Sequence, residues 1–143
     1  MTTQALPVKI DRGQGPPVVL LHGLGNNFRS WTYVLEKFDV SRSRVIALDL
    51  LGFGDARQPS HIRYTIDDHA DAVIHKLDRL GITDATLAGH SMGCLVAARV
   101  ALERSDMASR LVLLGTPEFR RISLRRNRFR FWERESTYLA PSG

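Results

Sequence analysis

The sequence has few of the features that mark secreted, membrane-spanning or metal-binding proteins. Its 143 residues include a single cysteine, Cys94, so no intrachain disulfide can form and we expect a cytoplasmic protein. No apolar run approaches the roughly 18 residues of a transmembrane helix, so we expect no membrane span. Residues 1–11 lack the basic and then apolar pattern of a signal peptide. We find neither a cluster of metal-ligating residues nor a phosphate-binding loop, so we predict no metal and no cofactor.

Net positive charge is confined to one segment of the chain. The net charge is +5, but seven arginines and one glutamate in residues 120–134 carry six net positive charges between them. The remainder of the chain therefore sums to about −1, and we expect no nucleic acid among its partners. A hydrophobic fraction of 43% and a charged fraction of 24% instead indicate a globular protein of one modest domain.

Four largely apolar runs predict strands that are covered on both faces. They occupy residues 18–21, 44–49, 85–88 and 111–114, and a short strand or loose arm is expected near residues 6–10. Patterns with helical spacing separate the four runs. Alternation of this kind predicts an α/β fold with three layers, in which a mostly parallel, twisted sheet carries helices on both faces.

Three helices are predicted between these strands. The first spans residues 28–38. Thr65 caps the second, Asp68 completes a capping box three residues later, and Gly81 ends it. The third begins after Ser91. Apolar spacing predicts that the first helix buries Trp31, Val34, Leu35 and Phe38.

The turn between the third strand and the third helix carries the pattern Gly-x-Ser-x-Gly, in residues 89–93. Strand, tight turn and helix form the context in which this pattern exposes a nucleophilic serine. Gly89 and Gly93 leave the space that a tight turn demands. Ser91 would then stand at the open end of the strand, and the N–H of Met92 would point toward negative charge. The alternative interpretation is an ordinary glycine-rich turn in which the serine has no catalytic role.

Three loops at the ends of predicted strands resemble the α/β-hydrolase family: residues 20–25, 49–55 and 89–93. Their order and spacing are similar to the first half of that fold. The resemblance implies that residues 1–118 form the N-terminal part of an α/β-hydrolase domain. It also implies that residues 119–143 are an arginine-rich start of a lid region or a tail.

The resemblance also assigns roles to individual residues. It implies that Ser91 is the nucleophile that attacks the carbonyl of a small-molecule ester, thioester or related acyl substrate, since the family's dehalogenases and epoxide hydrolases place aspartate there. The backbone N–H groups of Leu24 and Met92 would form the oxyanion hole. His22 would hold the oxyanion loop, and His90 would be a packed residue rather than the base. The supporting motif residues are His22, Gly23, Gly25, Gly89, His90 and Gly93.

No histidine follows Ser91 in the sequence. The family's order is serine, then acid, then histidine, so the triad histidine is missing from the sequence. We expect His69 and His75 to be solvated on the surface of the second helix, and we do not expect His61, a loop residue, to replace the base. Glu118, after the fourth strand, is the candidate acid, with the start of the lid region as the alternative interpretation.

The predicted strand at residues 111–114 is apolar on both faces, as an interior strand would be, but no further strand is predicted after it. An unpaired apolar edge there predicts that part of the fold is absent. Three explanations stay open: a truncated product, a split gene whose other half supplies acid and base as a second chain, and an inactive remnant. The tail fits the start of a lid helix, with Ile122, Phe129 and Trp132 on one face, and RNA or an anionic membrane is the weaker alternative.

Two other functions compete with the hydrolase interpretation. Residues 23–25 follow a strand and Asp49 ends the next one, as in a dinucleotide-binding module, but Phe28 stands where such a module needs its third glycine. The other competitor is a non-catalytic fragment that associates with a partner through the exposed edge and the basic tail. Cys94 stands where the family often has glycine, and we expect it to be a small, buried packing residue.

Overall fold

One five-stranded sheet organises the protein, whose computed structural model describes residues 6–117. The strand order is β1-β3-β2-β4-β5, in which β1 runs antiparallel to β3 and the other neighbours are parallel. This arrangement confirms the predicted α/β class and the mostly parallel sheet. The strands are β1 (Val8–Arg12), β2 (Pro17–Leu21), β3 (Arg44–Leu48), β4 (Ala85–His90) and β5 (Ala108–Leu114).

The two faces of the sheet pack into separate apolar clusters. On β3, Val45 and Ala47 join a smaller cluster with the first helical segment, whereas Ile46 and Leu48 join the larger cluster with the second and third helices. Successive side chains on a strand point to opposite faces, so a continuous apolar run is needed to fill both clusters. Helices therefore cover both faces of the sheet, as predicted.

The first helix differs from its predicted form. A 3₁₀ turn, Phe28–Trp31, begins it, and α1 (Thr32–Lys37) follows. Leu35 is buried with Trp31, as expected, but Val34 is exposed and Phe38 is only half-buried. The prediction of a four-residue buried face was wrong because the α-helical part has six residues and only a narrow stripe of it meets the sheet.

The second helix, α2 (Ile66–Arg79), has the predicted ends. The Thr65 side chain accepts a hydrogen bond from the Asp68 amide at 3.0 Å, and the Asp68 carboxylate accepts one from the Thr65 amide at 2.9 Å. This reciprocal pair satisfies two amides that the first turn of a helix leaves unpaired. Gly81 follows the helix with a φ of 65°, a left-handed conformation that suits glycine.

His69 contradicts the expectation of a solvated surface residue, because its side chain is completely buried. It lies three residues after Ile66 and four before Val73, so it falls on the buried stripe of α2. The prediction failed because the buried face of α2 was inferred from the spacing of apolar residues alone, and histidine is not one of them. His75, on the same helix, is partly exposed.

The third helix, α3 (Met92–Glu103), begins directly after the serine turn, as predicted. β5 follows it and pairs with β4 at one edge of the described part of the sheet. Four successive β5 side chains are between 41% and 46% exposed although all are apolar: Leu111, Val112, Leu113 and Leu114. No helix in residues 6–117 is long and apolar enough to cross a membrane. The predicted lid helix, with Ile122, Phe129 and Trp132, lies outside the described residues.

Candidate active site

Ser91 occupies a strained turn between β4 and α3. Its backbone has φ 52° and ψ −117°, a conformation that residues with side chains rarely adopt. Its amide donates to the carbonyl of Leu114 at 2.9 Å, and its carbonyl accepts from the amide of Cys94 at the same distance. Strain of this kind costs about 1–3 kcal/mol and persists only where the surroundings enforce it. The last residue of β5 and the first turn of α3 supply that enforcement.

The two glycines of the turn allow α3 to approach the sheet closely. A Cβ atom at Gly89 would clash with the backbone of Gly93, and a Cβ at Gly93 would clash with the carbonyl of Leu21 at the end of β2. Side chains at these positions would therefore push α3 away from the strands. The spacing of Gly-x-Ser-x-Gly thus follows from two backbone contacts, one within the turn and one to the neighbouring strand.

The loop after β2 lies directly against Ser91. A Cβ atom at Gly23 would be 3.1 Å from the Cβ of Ser91 and 3.2 Å from Nδ1 of His90. The two loops meet because β2 and β4 are neighbouring parallel strands, with Leu21 opposite Gly89, so their carboxyl ends open at one edge of the sheet. The residue after Gly23 is Leu24, whose side chain is 46% exposed.

His22 connects this loop to the loop after β3. The ring is fully buried. Its Nε2 accepts a hydrogen bond from the amide of Leu50 at 2.9 Å, which leaves the proton on Nδ1, and Nδ1 donates to the carbonyl of Gly23 at 2.8 Å. Burial lowers the pKa of His22, whereas the hydrogen bond to Gly23 and the charge of Asp49 oppose that shift. His22 therefore has the contacts that a neutral residue holding the loop needs.

Asp49 makes a second connection between the same loops. Its Oδ1 accepts from the amide of Phe28 at 2.9 Å, and its Oδ2 accepts from the amide of Asp55 at 3.0 Å. Gly54 lies so close that a Cβ there would overlap the carboxylate. A ribose-binding acid needs a free oxygen, but both oxygens here bind backbone amides and the side chain is buried. The site of Asp49 thus counts against a dinucleotide-binding module.

His90 and Cys94 flank the serine differently from each other. His90 is exposed, with its ring beside Gly23 and Gly115, so the expectation of a packed side chain was wrong. Cys94 is buried, as predicted, and its thiol lies 3.2 Å from the carbonyl of Gly89 and 3.3 Å from that of Leu114.

The described residues include three histidines besides His22 and His90. His61 is exposed in the loop before α2, and His69 and His75 lie on α2 itself. No hydrogen bond joins the Ser91 hydroxyl to a histidine within residues 6–117. The candidate acid, Glu118, lies outside the described residues. In the same part of the chain, no group of three or more His, Cys, Asp or Glu residues is arranged to hold a metal ion.

Comparison with known proteins identifies the family of this fold. A sequence model of the alpha/beta hydrolase fold family matches residues 16–141. The chain belongs to that family. It is 37% identical to 2-hydroxymuconate semialdehyde hydrolase of Pseudomonas sp. over 109 residues, which are 74% of this chain and 38% of that protein. It is 36% identical to a haloalkane dehalogenase of Mycolicibacterium paratuberculosis over 111 residues, 73% of this chain and 36% of that protein.

Two solved structures show a similar likeness. CumD, a meta-cleavage product hydrolase, is 34% identical with a TM-score of 0.69 over 75% of this chain and 40% of its own. Est816, described as an N-acyl homoserine lactone degrading enzyme, is 28% identical with a TM-score of 0.71 over 78% of this chain and 42% of its own. The chain thus spans between 36% and 42% of the length of these four relatives.

Proposed function

We propose that this α/β-hydrolase chain supplies the nucleophile and the oxyanion hole of a serine hydrolase that acts on an ester, thioester or related acyl substrate. The observation that carries the proposal is the strained backbone of Ser91, with φ 52°, held directly against the loop of Gly23. A strained serine between a strand and a helix is the arrangement that exposes a nucleophile. The fixed carbonyl of Gly23, which His22 binds, supports the same proposal.

The proposed reaction begins when the Ser91 hydroxyl loses its proton to a base and its oxygen bonds to the substrate's carbonyl carbon. The carbonyl oxygen becomes an oxyanion, which accepts hydrogen bonds from the amides of Leu24 and Met92. Loss of one such donor typically lowers the rate by about 10²–10³. The leaving group departs with a proton, and water then hydrolyses the acyl-serine. The base must come from outside the given sequence, in a second chain or a longer protein, because no histidine follows Ser91.

The relatives support an acyl substrate but do not agree on a compound. Est816 is described as degrading N-acyl homoserine lactones, another related structure is an esterase, and an ester or lactone presents the carbonyl that a serine attacks. The relative that is a haloalkane dehalogenase fits less well, since dehalogenases of this family use aspartate where this chain has Ser91. We therefore propose that the substrate is an acyl compound, and the proposal does not specify its leaving group.

A serine-directed fluorophosphonate tests the proposal. The protein is labelled in an extract of the cells that produce it, so that any partner chain or longer product is present, and its intact mass is then measured. We expect a phosphonate adduct on the wild type that disappears in Ser91→Ala. Ser30→Ala is the matched control, since Ser30 is exposed on the 3₁₀ turn and bonds only locally to Asn27. Equal labelling of the wild type and Ser91→Ala would contradict the proposal.

A second candidate function rests on the half-exposed apolar edge of the described sheet. Leu111 to Leu114 expose between 41% and 46% of their surface, and an open edge strand is a template for another strand. In this alternative the chain is a non-catalytic fragment that binds a partner through β5. Sedimentation of the purified protein tests it, because a soluble, well-folded monomer would count against it.

A further inference from the structure

His69 is buried in a way that leaves its polar atoms unsatisfied. Its side chain has no exposed surface, and neither ring nitrogen has a hydrogen-bond partner among the described residues. The ring stacks on Phe53 with centroids 6.2 Å apart and an interplanar angle of 22°, and Tyr64 packs at 6.3 Å in a tilted orientation. A neutral imidazole has one donor and one acceptor, and buried groups of this kind are normally paired.

The surroundings of His69 favour its neutral form. In the described part of the chain, the titratable groups that face it are Asp68 from α2, His22 from the loop after β2, and Tyr64 from the segment before α2. The charge of Asp68 favours the protonated ring and His22 opposes it, but burial is the largest effect and lowers the pKa of His69 to about 4. The Tyr64 hydroxyl donates to the carbonyl of Pro59 at 2.9 Å, so it is committed elsewhere.

His69 also supports a long irregular segment, residues 50–65, which we call the 50–65 loop. Loops of this length are uncommon inside compact domains and are usually functional. Phe53 and Tyr64 from this loop are buried against His69. Tyr64 has a φ of 56°, which is strained for a bulky residue and persists only while its packing holds.

We propose that His69 is an acid switch: when its ring takes up a proton, it leaves the pocket beside Phe53 and Tyr64, and the 50–65 loop separates from α2. A charged ring is disfavoured in this pocket because no hydrogen bond there compensates for its lost hydration. Phe53 also meets the ring of His22 edge-on, with centroids 5.8 Å apart. Opening of the loop therefore removes one support of His22 and loosens the loop that lies against Ser91. The inference does not depend on the proposed hydrolase activity, since its test measures no reaction.

The direction of the pH effect follows from the two pKa values. The ring has a pKa of about 4 in the closed state and 6.5 when solvated. Above pH 6.5 it is neutral in both states, so the closed state keeps its full stability. As the pH falls from 6.5 to 4 the open state binds the proton first, and the closed state is progressively lost. This difference in pKa raises the equilibrium constant for opening of the 50–65 loop above its value at neutral pH. The increase is about 30-fold at pH 5 and about 300-fold below pH 4.

Amide hydrogen exchange on the wild-type protein is the primary test. Protection factors for the 50–65 loop are measured at pH 7.5 and pH 5, with each rate referred to its intrinsic value at that pH. We expect protection in the loop to fall about 30-fold at pH 5 while β2 and β4 stay protected. A ring resonance of His69 that titrates near pH 6.5 in the folded protein would overturn the proposal, and so would a uniform loss of protection across the sheet.

A pair of variants separates His69 from other acid effects. His69→Leu removes the proton acceptor and keeps an apolar side chain, and His75→Leu is the matched control on the partly exposed part of the same helix. We expect the acid-dependent loss of protection to vanish in His69→Leu and to remain in His75→Leu. If leucine disrupts folding, His69→Phe keeps a ring against Phe53 and serves instead. An unchanged acid response in the folded His69 variant would overturn the proposal.

Discussion

His22 and His69 lie against the same side chain, Phe53, and both are shut off from solvent, yet their hydrogen bonding is opposite. His22 uses both ring nitrogens, one with the amide of Leu50 and one with the carbonyl of Gly23. His69 uses neither within the described residues. Burial alone therefore does not define the role of a histidine. One ring joins the loop that lies against Ser91 to the loop after β3, and the other, in our proposal, holds a loop only while it stays neutral.

Removal of the bonded histidine should have the largest effect. His22→Ala leaves the Leu50 amide and the Gly23 carbonyl buried without partners and opens a cavity, so we expect a loss of about 4 kcal/mol in the free energy of unfolding at pH 7.5. Urea denaturation measures it. His61→Ala is the control, since His61 is exposed, and should change stability by less than about 0.5 kcal/mol. A loss for His22→Ala as small as that of the control would remove the contrast between the two rings.

Removal of the unbonded histidine should have an effect that depends on pH. At pH 7.5 we expect His69→Leu to be at least as stable as the wild type, because it replaces two unpaired nitrogens with apolar surface. At pH 5 the variant should gain about 2 kcal/mol relative to the wild type, since only the wild type binds a proton on unfolding. Urea denaturation at the two pH values measures this difference. A gain that is equal at both pH values would mean that the ring acts through packing alone.

The shared neighbour tests whether the two rings respond separately. Phe53→Leu removes the stacked surface from His69 and the edge contact from His22, and we expect a loss of about 1.5 kcal/mol. The pKa of His69 should rise toward 6.5 because its pocket admits water, whereas His22 keeps its hydrogen bonds to Leu50 and Gly23. Histidine ring resonances followed through a pH titration report both changes. Equal shifts of the two rings would show that Phe53, and not hydrogen bonding, controls them.

The smallest effect concerns the charge of Asp68, which acts on the ring of His69. Asp68 favours the protonated ring, so Asp68→Asn should lower the pKa of His69 by a few tenths of a unit. Asparagine retains an oxygen that can accept from the Thr65 amide, so α2 should keep its cap. The same ring titration measures this shift, and Asp71→Asn on the exposed side of α2 is the control. A rise in the pKa of His69 would contradict the electrostatic assignment.

The elements that depend on local chemistry could be predicted from the sequence. The capping box of Thr65 and Asp68 needs only residues three apart in the chain. The turn around Ser91 could also be predicted, because the close contact of Gly89 with Gly93 lies within the five-residue pattern, although the contact of Gly93 with Leu21 depends on the neighbouring strand. The continuous apolar run of β3 likewise indicated a strand buried on both faces.

The failures concern residues whose environment is set by distant parts of the chain. The exposed face of α1 at Val34 depends on how short the α-helical part is after its 3₁₀ turn. His90, the last residue of β4, was expected to be packed and is exposed. The buried carboxylate of Asp49 could have been suspected from its place at a strand end, but its partners, Phe28 and Asp55, lie on two different loops.

The sequence by itself determined the α/β class, the positions of the turns and the identity of the candidate nucleophile, Ser91. These depend on apolar periodicity and on glycine placement, which act over a few residues. The tertiary structure alone decided that Gly23 faces Ser91, that His22 bonds two loops and that His69 is buried without partners. The sequence does not distinguish a solvated histidine from one that is buried with or without hydrogen-bond partners, because the atoms that folding brings around the ring set its state.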